Sequence, residues 1–377
     1  MTDDAAILSV DFLVGFTIFL VSFIWIANLV PGLFLGLSAS TIDYNAVAYR
    51  TGVILAEDPG ATVPTVFTPW EFQTANPLTA TTGKNNVVRF GLAKSKSTPG
   101  VLDLNKVNSF FNTTLWSYPD DYRTRAVFGD YPYRFNISLR TFNDNMTRFV
   151  GDLIPDNYGF IRREVKVAGW SNATIDQTMI SNRGYNNTEN VTFNLFTIAI
   201  NSSELNYDNI STPLLDPSRD PAYRIDPEWA EFMINITGLD KSPPRMAPVI
   251  RFDDINLSSV AFYRQPYGSS QFIGITPPPW FQCRYYNDGN STPVTLPVEI
   301  KYNVSMVCDP GFFSGVAPDN IIFINMTYGA VDPTGANPNY GIQFLNSSSS
   351  GPFQYDYNAT NVTQPYLEDG VLEVAVW

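Results

Sequence analysis

The residues best equipped for chemistry in this chain are carboxylates. Asp216, Asp220, Asp226 and Glu228 fall within LLDPSRDPAYRIDPEW, and Asp253 and Asp254 are adjacent. Hard oxygen ligands of this kind suit calcium, and two carboxylates beside aromatic side chains are the working parts of a glycosidase. The spacing favours a plainer role. Asp216, Asp220 and Asp226 each directly precede a proline, the opening of a turn, and no EF-hand interval separates them. Nothing in the sequence orders an acid and a base against each other. Histidine is absent, which removes Ser-His-Asp and Cys-His nucleophile systems, His-ligated zinc and haem, and any side chain that titrates near neutrality without help. No phosphate loop, nucleophile motif or cofactor fingerprint occurs. The expectation is a protein that is not an enzyme, with no cofactor and no metal.

Modification sites are far more numerous. Asn-x-Ser/Thr occurs at Asn112, Asn136, Asn145, Asn172, Asn186, Asn190, Asn201, Asn209, Asn235, Asn256, Asn290, Asn303, Asn325, Asn346, Asn358 and Asn361, and nowhere in the first hundred residues. Such acceptors imply surface positions in an exported chain, so residues from about 112 onward are expected outside the cell and N-glycosylated. In that oxidising setting Cys283 and Cys308 are expected to form a disulfide, closing a loop of about 26 residues and contributing on the order of 3 kcal/mol in the chain-entropy model. Two separate buried thiols are the alternative.

The composition agrees with a folded exterior. Hydrophobic residues make up 44% of 377 and aromatics 14%, ample for a core, while charged residues at 16% fall below the ~25% of an average soluble domain. Asn, Thr, Ser, Tyr and Pro take their place, as in strands joined by turns. A net charge of -13 without clustered Lys or Arg excludes nucleic acid as a partner.

The elements that must carry these groups begin with an apolar run. From Phe12 to Leu37 no residue is charged, and as one helix that run would extend about 39 Å, enough to cross a ~30 Å hydrocarbon core. Asp11 interrupts the apolar sequence, and on a helical wheel Asp11, Gly15, Ser22 and Gly36 fall along one small and polar stripe where a neighbouring helix can approach. An Asp11 lying merely in the headgroup layer is the alternative. TIDYNAVAYRTGVILAE continues the helical character up to the turn signal Asp58-Pro59-Gly60. A single N-terminal helix over residues 1–57 is therefore expected, followed by a proximal mixed module over 58–150 and an outer β-rich module over 151–377. The fold class expected is α+β: a long hydrophobic N-terminal helix and a sandwich-like extracellular head of two β subdomains. In DPEWAEFMINI a helical turn or short helix is expected from Asp226.

An acidic residue early in an apolar helix, the Pro31-Gly32 interruption and a downstream β-rich head together resemble archaeal type IV pilin-like proteins. Asp4-Ala5 before Ala6-Ile7 is similar to the processing site of their class III signal peptides. The resemblance implies cleavage after Ala5 or Ala6 and a carboxylate at Asp11 that meets the free N terminus of a neighbouring subunit. VVRFGLAKSKSTPGVLDLNKVNSFFN (87–112) and YPYRFNISL (131–139) resemble haloarchaeal and methanogen proteins with pilin-like N termini. The function this implies is a structural subunit of an extracellular filament, a homo-oligomer whose helices pack in the core after passing through the membrane, with glycosylated heads outside. The alternative is a single-pass, membrane-anchored surface protein that binds or adheres, or a minor tip pilin.

Overall fold

The computed structural model describes residues 12–28, 43–127, 131–143, 146–176, 180–183, 195–205, 220–238, 255–317, 319–330, 341–344, 352–355, 362–363 and 365–377. Asp11, Ala5, Ala6, Gly36 and the sequons at Asn145, Asn186, Asn190, Asn209, Asn346, Asn358 and Asn361 lie outside them.

Among the described residues, strands account for 36% and helices for 22%. That balance, and the form of the helices, correct the expected fold class and its single N-terminal rod. Helix α1 covers residues 12–28, and α2 (Tyr44–Glu57) belongs, from Asn45, to a different compact unit. No described helix is long and apolar enough to cross a membrane, which corrects the expected transmembrane helix. The physical reasons differ for the two helices. Over its 17 described residues α1 extends about 26 Å at 1.5 Å each, against a ~30 Å core. In α2 the apolar face is used inside the chain: Val47, Ala48, Leu55 and Ala56 are buried, and a Cβ on Gly52 would stand 2.8 Å from Ile161 and 3.8 Å from Val374.

Ile161 and Val374 belong to a five-stranded sheet. Its order is β3 (Val101–Asp103), β6 (Gly159–Ala168), β19 (Leu367–Val376), β4 (Phe135–Thr141) and β5 (Thr147–Gly151), antiparallel except for the β3–β6 pair. Leu372 opposes Leu139, and Val374 opposes both Ile137 and Ile161, so these residues share one face. Against it packs an aromatic cluster from irregular segments and the short helices α4 (Leu104–Phe110) and α5 (Asp120–Arg125). Phe90 lies 4.8 Å from Trp116 and 5.5 Å from Phe110, and Tyr118 lies 5.3 Å from Phe135. The Tyr122 hydroxyl donates to Phe110 O at 2.6 Å and the Trp116 indole N–H to Ser109 Oγ at 3.4 Å, satisfying two polar groups that burial would otherwise penalise. The remaining helix of this part, α3 (Ala80–Asn85), lies in sequence between the two strands of a small ladder, β1 (Ala61–Thr62) and β2 (Val87–Arg89).

Between β6 and β19 the chain builds a two-layer sandwich. One layer runs β13 (Cys283–Asn287), β15 (Val304–Cys308), β10 (Phe232–Ile236), β7 (Ser171–Ile175). The other runs β12 (Ile273–Gly274), β11 (Ile255–Gln265), β16 (Ile321–Ala330), β9 (Leu195–Asn201), β18 (Phe353–Tyr355), with β14 (Val298–Ile300) also on β11. A short pair, β8 (Ile180–Arg183) with β17 (Gly341–Phe344), and the single turn α6 (Ser202–Leu205) accompany them. Alternation fills the space between layers: Phe232, Ile234, Ile236, Val304 and Met306 from one side meet Phe196, Ile198, Ile322, Ile324 and Met326 from the other in a single buried cluster. DPEWAEFMINI divides between a turn, where Trp229 N and Ala230 N donate to Asp226 O at 3.1 and 2.8 Å, and strand β10. No helix forms there, because the alternating Phe232, Ile234 and Ile236 are needed by the sandwich core.

Because Leu372 is fully buried at the centre of the five-stranded sheet, Leu372→Ala should destabilise the protein by about 2–5 kcal/mol. Leu153→Ala, at a site 95% exposed, should stay within about 0.5 kcal/mol of the parent in the same denaturant titration.

Candidate functional site

The chain enters the sandwich through Gly169 and Trp170 and returns through Pro365 and Tyr366. The two crossings run side by side, with Gly169 N donating to Tyr366 O at 2.9 Å and the Ser171 hydroxyl to Thr363 O at 2.6 Å. Beside them lies a cavity of about 220 Å³, to which the sheet module contributes Glu71, Lys94 and Lys106 and the sandwich Trp170, Ile225 and Trp229.

Glu71 reaches the cavity from the 3-10 turn Trp70–Phe72. Trp70 holds that turn: its indole N–H donates to Gly91 O at 3.0 Å and Pro59 O at 3.2 Å, and its ring lies 4.9 Å from Phe90. Part of Glu71 keeps solvent contact, but its Oε2 is buried and has no hydrogen-bond partner. Burial pushes the carboxyl up to about 7, with the Lys106 ammonium pulling it down and Asp103 adding to the rise. Lys106 is itself buried and donates through Nζ to Ala93 O at 2.9 Å. Asp103 caps α4, accepting from Asn105 N at 2.8 Å and Lys106 N at 3.2 Å, which fixes both lysine and carboxylate beside Glu71. Lys94 Nζ bridges the modules by donating to Ala222 O at 2.9 Å. The Trp170 indole N–H is buried without an acceptor. The cavity thus brings together the raised Glu71 carboxyl and the Trp170 indole N–H.

Trp229 also lines a more open groove of about 460 Å³ with Phe67, Phe72, Trp280, Phe281 and Gln73. Phe72 stacks on Trp229 at 5.2 Å and 20°, and meets Phe281 edge-on at 6.1 Å. Phe67 is 94% exposed. Glu228 stands in this groove as an acceptor from Gly315 N at 2.8 Å, and burial raises its carboxyl above the ordinary range.

Among the described residues, the carboxylates singled out in the sequence serve as acceptors for nearby backbone N–H groups. Asp220 accepts from Ala222 N at 2.9 Å and Asp226 from Glu228 N at 3.0 Å, both as turn acceptors. Asp216, Asp253 and Asp254 lie outside the described residues. Among the described residues no three carboxylates, cysteines or histidines come together as a metal would need. Cys283 and Cys308 are disulfide-bonded across directly opposed positions of β13 and β15. Among the described sequons Asn112 and Asn290 are exposed, while Asn136, Asn172, Asn201, Asn235, Asn256, Asn303 and Asn325 are half-buried. In α1, Gly15 has no atom within 4 Å of its Cβ direction, and the Ser22 hydroxyl donates to Ile18 O at 2.8 Å. Sequence reasoning missed Glu71 and Trp170. Glu71 fell in a tract that reads as a loop, and its one signal is a carboxylate set directly between two large aromatics in PWEF.

No family model matches the chain, and no solved structure does. A protein of Archaeoglobus fulgidus, described as uncharacterized, is 29% identical over 171 residues, covering 42% of this chain and 83% of the relative.

A carboxyl whose pKa is raised on folding takes up more protons in the native state than in the unfolded chain. Its stabilising effect is complete below about 4.5 and is lost as pH rises through about 7. Glu71→Gln should therefore flatten the fall in stability between pH 5 and 7.5, gaining on the order of 2 kcal/mol over the parent at the alkaline end and little at the acid end. Denaturant titrations at both pH values measure this.

Proposed function

We propose that this chain is a structural subunit of an extracellular, type IV pilus-like archaeal filament, in which copies associate through residues 12–28 and the β-rich remainder faces outward. The observation that carries this reading is the surface of α1. Large apolar side chains point in every direction around it and stay exposed, from Phe12 at 73% and Trp25 at 71% to Leu20 at 38%. Its three polar side chains each turn a donor back onto the helix. Thr17 donates to Leu13 O at 2.7 Å, Ser22 to Ile18 O at 2.8 Å and Asn28 to Ile24 O at 2.9 Å.

An apolar surface of this extent needs cover. Copies of the same helix supply it, and they can approach closely at Gly15, where no side chain intervenes. Burial between helices then gives cohesion. Asp11, beyond the described residues, sets axial register by pairing with a neighbour's N-terminal amine, with Ala5-Ala6 as the processing site. Residues 44–57 take no part, since their apolar face is occupied within the chain. Sequon asparagines that are exposed or half-buried leave room for N-glycans on the outward surface, and a relative in an archaeon fits the source. A surface binding or tip role is the second reading, favoured by the aromatic groove around Phe67 and Trp280.

Electron microscopy of surface filaments, with mass spectrometry of their principal component, tests the proposal. The chain should be that component, and Gly15→Leu or Asp11→Ala should each reduce filament yield at least about tenfold while leaving the melting of the β-rich part unchanged, a loss equivalent to roughly 1.4 kcal/mol per contact or more. Normal filaments from both variants, or native material in which crosslinking finds no sister copies at residues 12–28, would defeat it. Presence at filament ends alone would establish the tip role instead.

A further inference from the structure

We infer that the cavity at the module crossing is a binding site for a single neutral sugar ring. Its volume of about 220 Å³ is below the ~300–1,000 Å³ of pockets for drug-sized ligands, which limits the occupant to one ring.

The chemistry of the lining narrows the class. The buried polar atoms without a partner include, in residues that line it, the Oε2 acceptor of Glu71 and the Nε1–H donor of Trp170. Each costs about 1–3 kcal/mol if nothing satisfies it. A carboxylate or phosphate would accept from Trp170 but bring like charge to Glu71. An ammonium group would serve Glu71 but give the indole N–H no acceptor. A hydroxyl does both, donating to one partner and accepting from another, and a ring bearing several hydroxyls can reach the two atoms at once. Trp170, Trp229, Ile225 and Pro365 are among the residues lining the cavity, and they supply apolar surface of the kind that the C–H face of a sugar needs. Basic and acidic side chains are both present around the cavity, among them Lys106 and Asp103, so the site carries no dominant charge that would select an ion.

The source of such a ring is a free monosaccharide or the terminal unit of a glycan, and the two differ in whether the anomeric oxygen is substituted. Calorimetric titration of the full chain with glucose, galactose, mannose, their methyl glycosides, inorganic phosphate and glycine separates the possibilities. Saturable one-to-one binding of at least one hexose in the millimolar range or tighter is expected. Binding of the methyl glycoside as well would identify a glycan end, and its exclusion a free sugar. Trp170→Phe, which keeps an aromatic side chain of smaller area and removes the donor, should weaken binding at least about tenfold, the equivalent of one hydrogen bond of roughly 1.4 kcal/mol. Glu71→Leu should do the same from the acceptor side, and serves if the first variant does not fold. Three results overturn the inference: no hexose binding in that range, phosphate or glycine binding that is lost in these variants, or hexose binding that both folded variants retain undiminished.

Discussion

The backbone ladder of β19 is the constraint on which the larger unit depends. This strand pairs along its length with β6 and over seven residues with β4, so the centre of the five-stranded sheet is supplied by residues that follow the entire sandwich in sequence. Removing it would separate β6 from β4 and expose the face on which α2 and the aromatic cluster pack. A strand buried on both sides reads as a near-continuous apolar run, and Val371, Leu372, Val374, Ala375 and Val376 are all buried. The sandwich between β6 and β19 is in turn closed at its base, because both of its ends are fixed to neighbouring positions of one sheet. That closure brings Trp170 alongside Pro365 and creates the cavity wall.

The junction is also where electrostatic cost concentrates. A carboxylate partly removed from water beside a lysine already engaged with a carbonyl is a poor way to gain stability. Trp70 nevertheless holds the Glu71 turn rigidly, through two carbonyl acceptors and the packing of its ring. That turn holds an under-satisfied polar group in place at a cost to the free energy of folding.

Legibility in the sequence followed the range of the interactions. NVTFNLFTIAI, NIIFINMTYGAV and VLEVAVW carry β-branched and aromatic residues at strand spacing, and each contains a strand, because side-chain alternation is a local property. The disulfide was legible from two cysteines and their setting. The N-terminal helix was misjudged for a reason the residues make plain. Hydropathy reports how apolar residues 44–57 are and says nothing of what covers them. Here the cover is Ile161 and Val374, more than a hundred residues away. Pairing of β19 with β6 left no local trace for the same reason. Glu71 and Trp170 were invisible because a site made at a chain crossing has no sequence spacing: the two residues are joined only by the return of Pro365.

The back-bonded side chains of α1 have one more consequence. With Thr17, Ser22 and Asn28 each donating to the carbonyl four residues earlier, whatever lies against residues 12–27 meets a surface with little polar address. Discrimination among neighbours falls to contour, to the notch at Gly15 between Phe12 and Phe19, and to groups flanking the helix. A greasy cylinder of this kind is rotationally indifferent, free to settle in several azimuths until its ends are pinned.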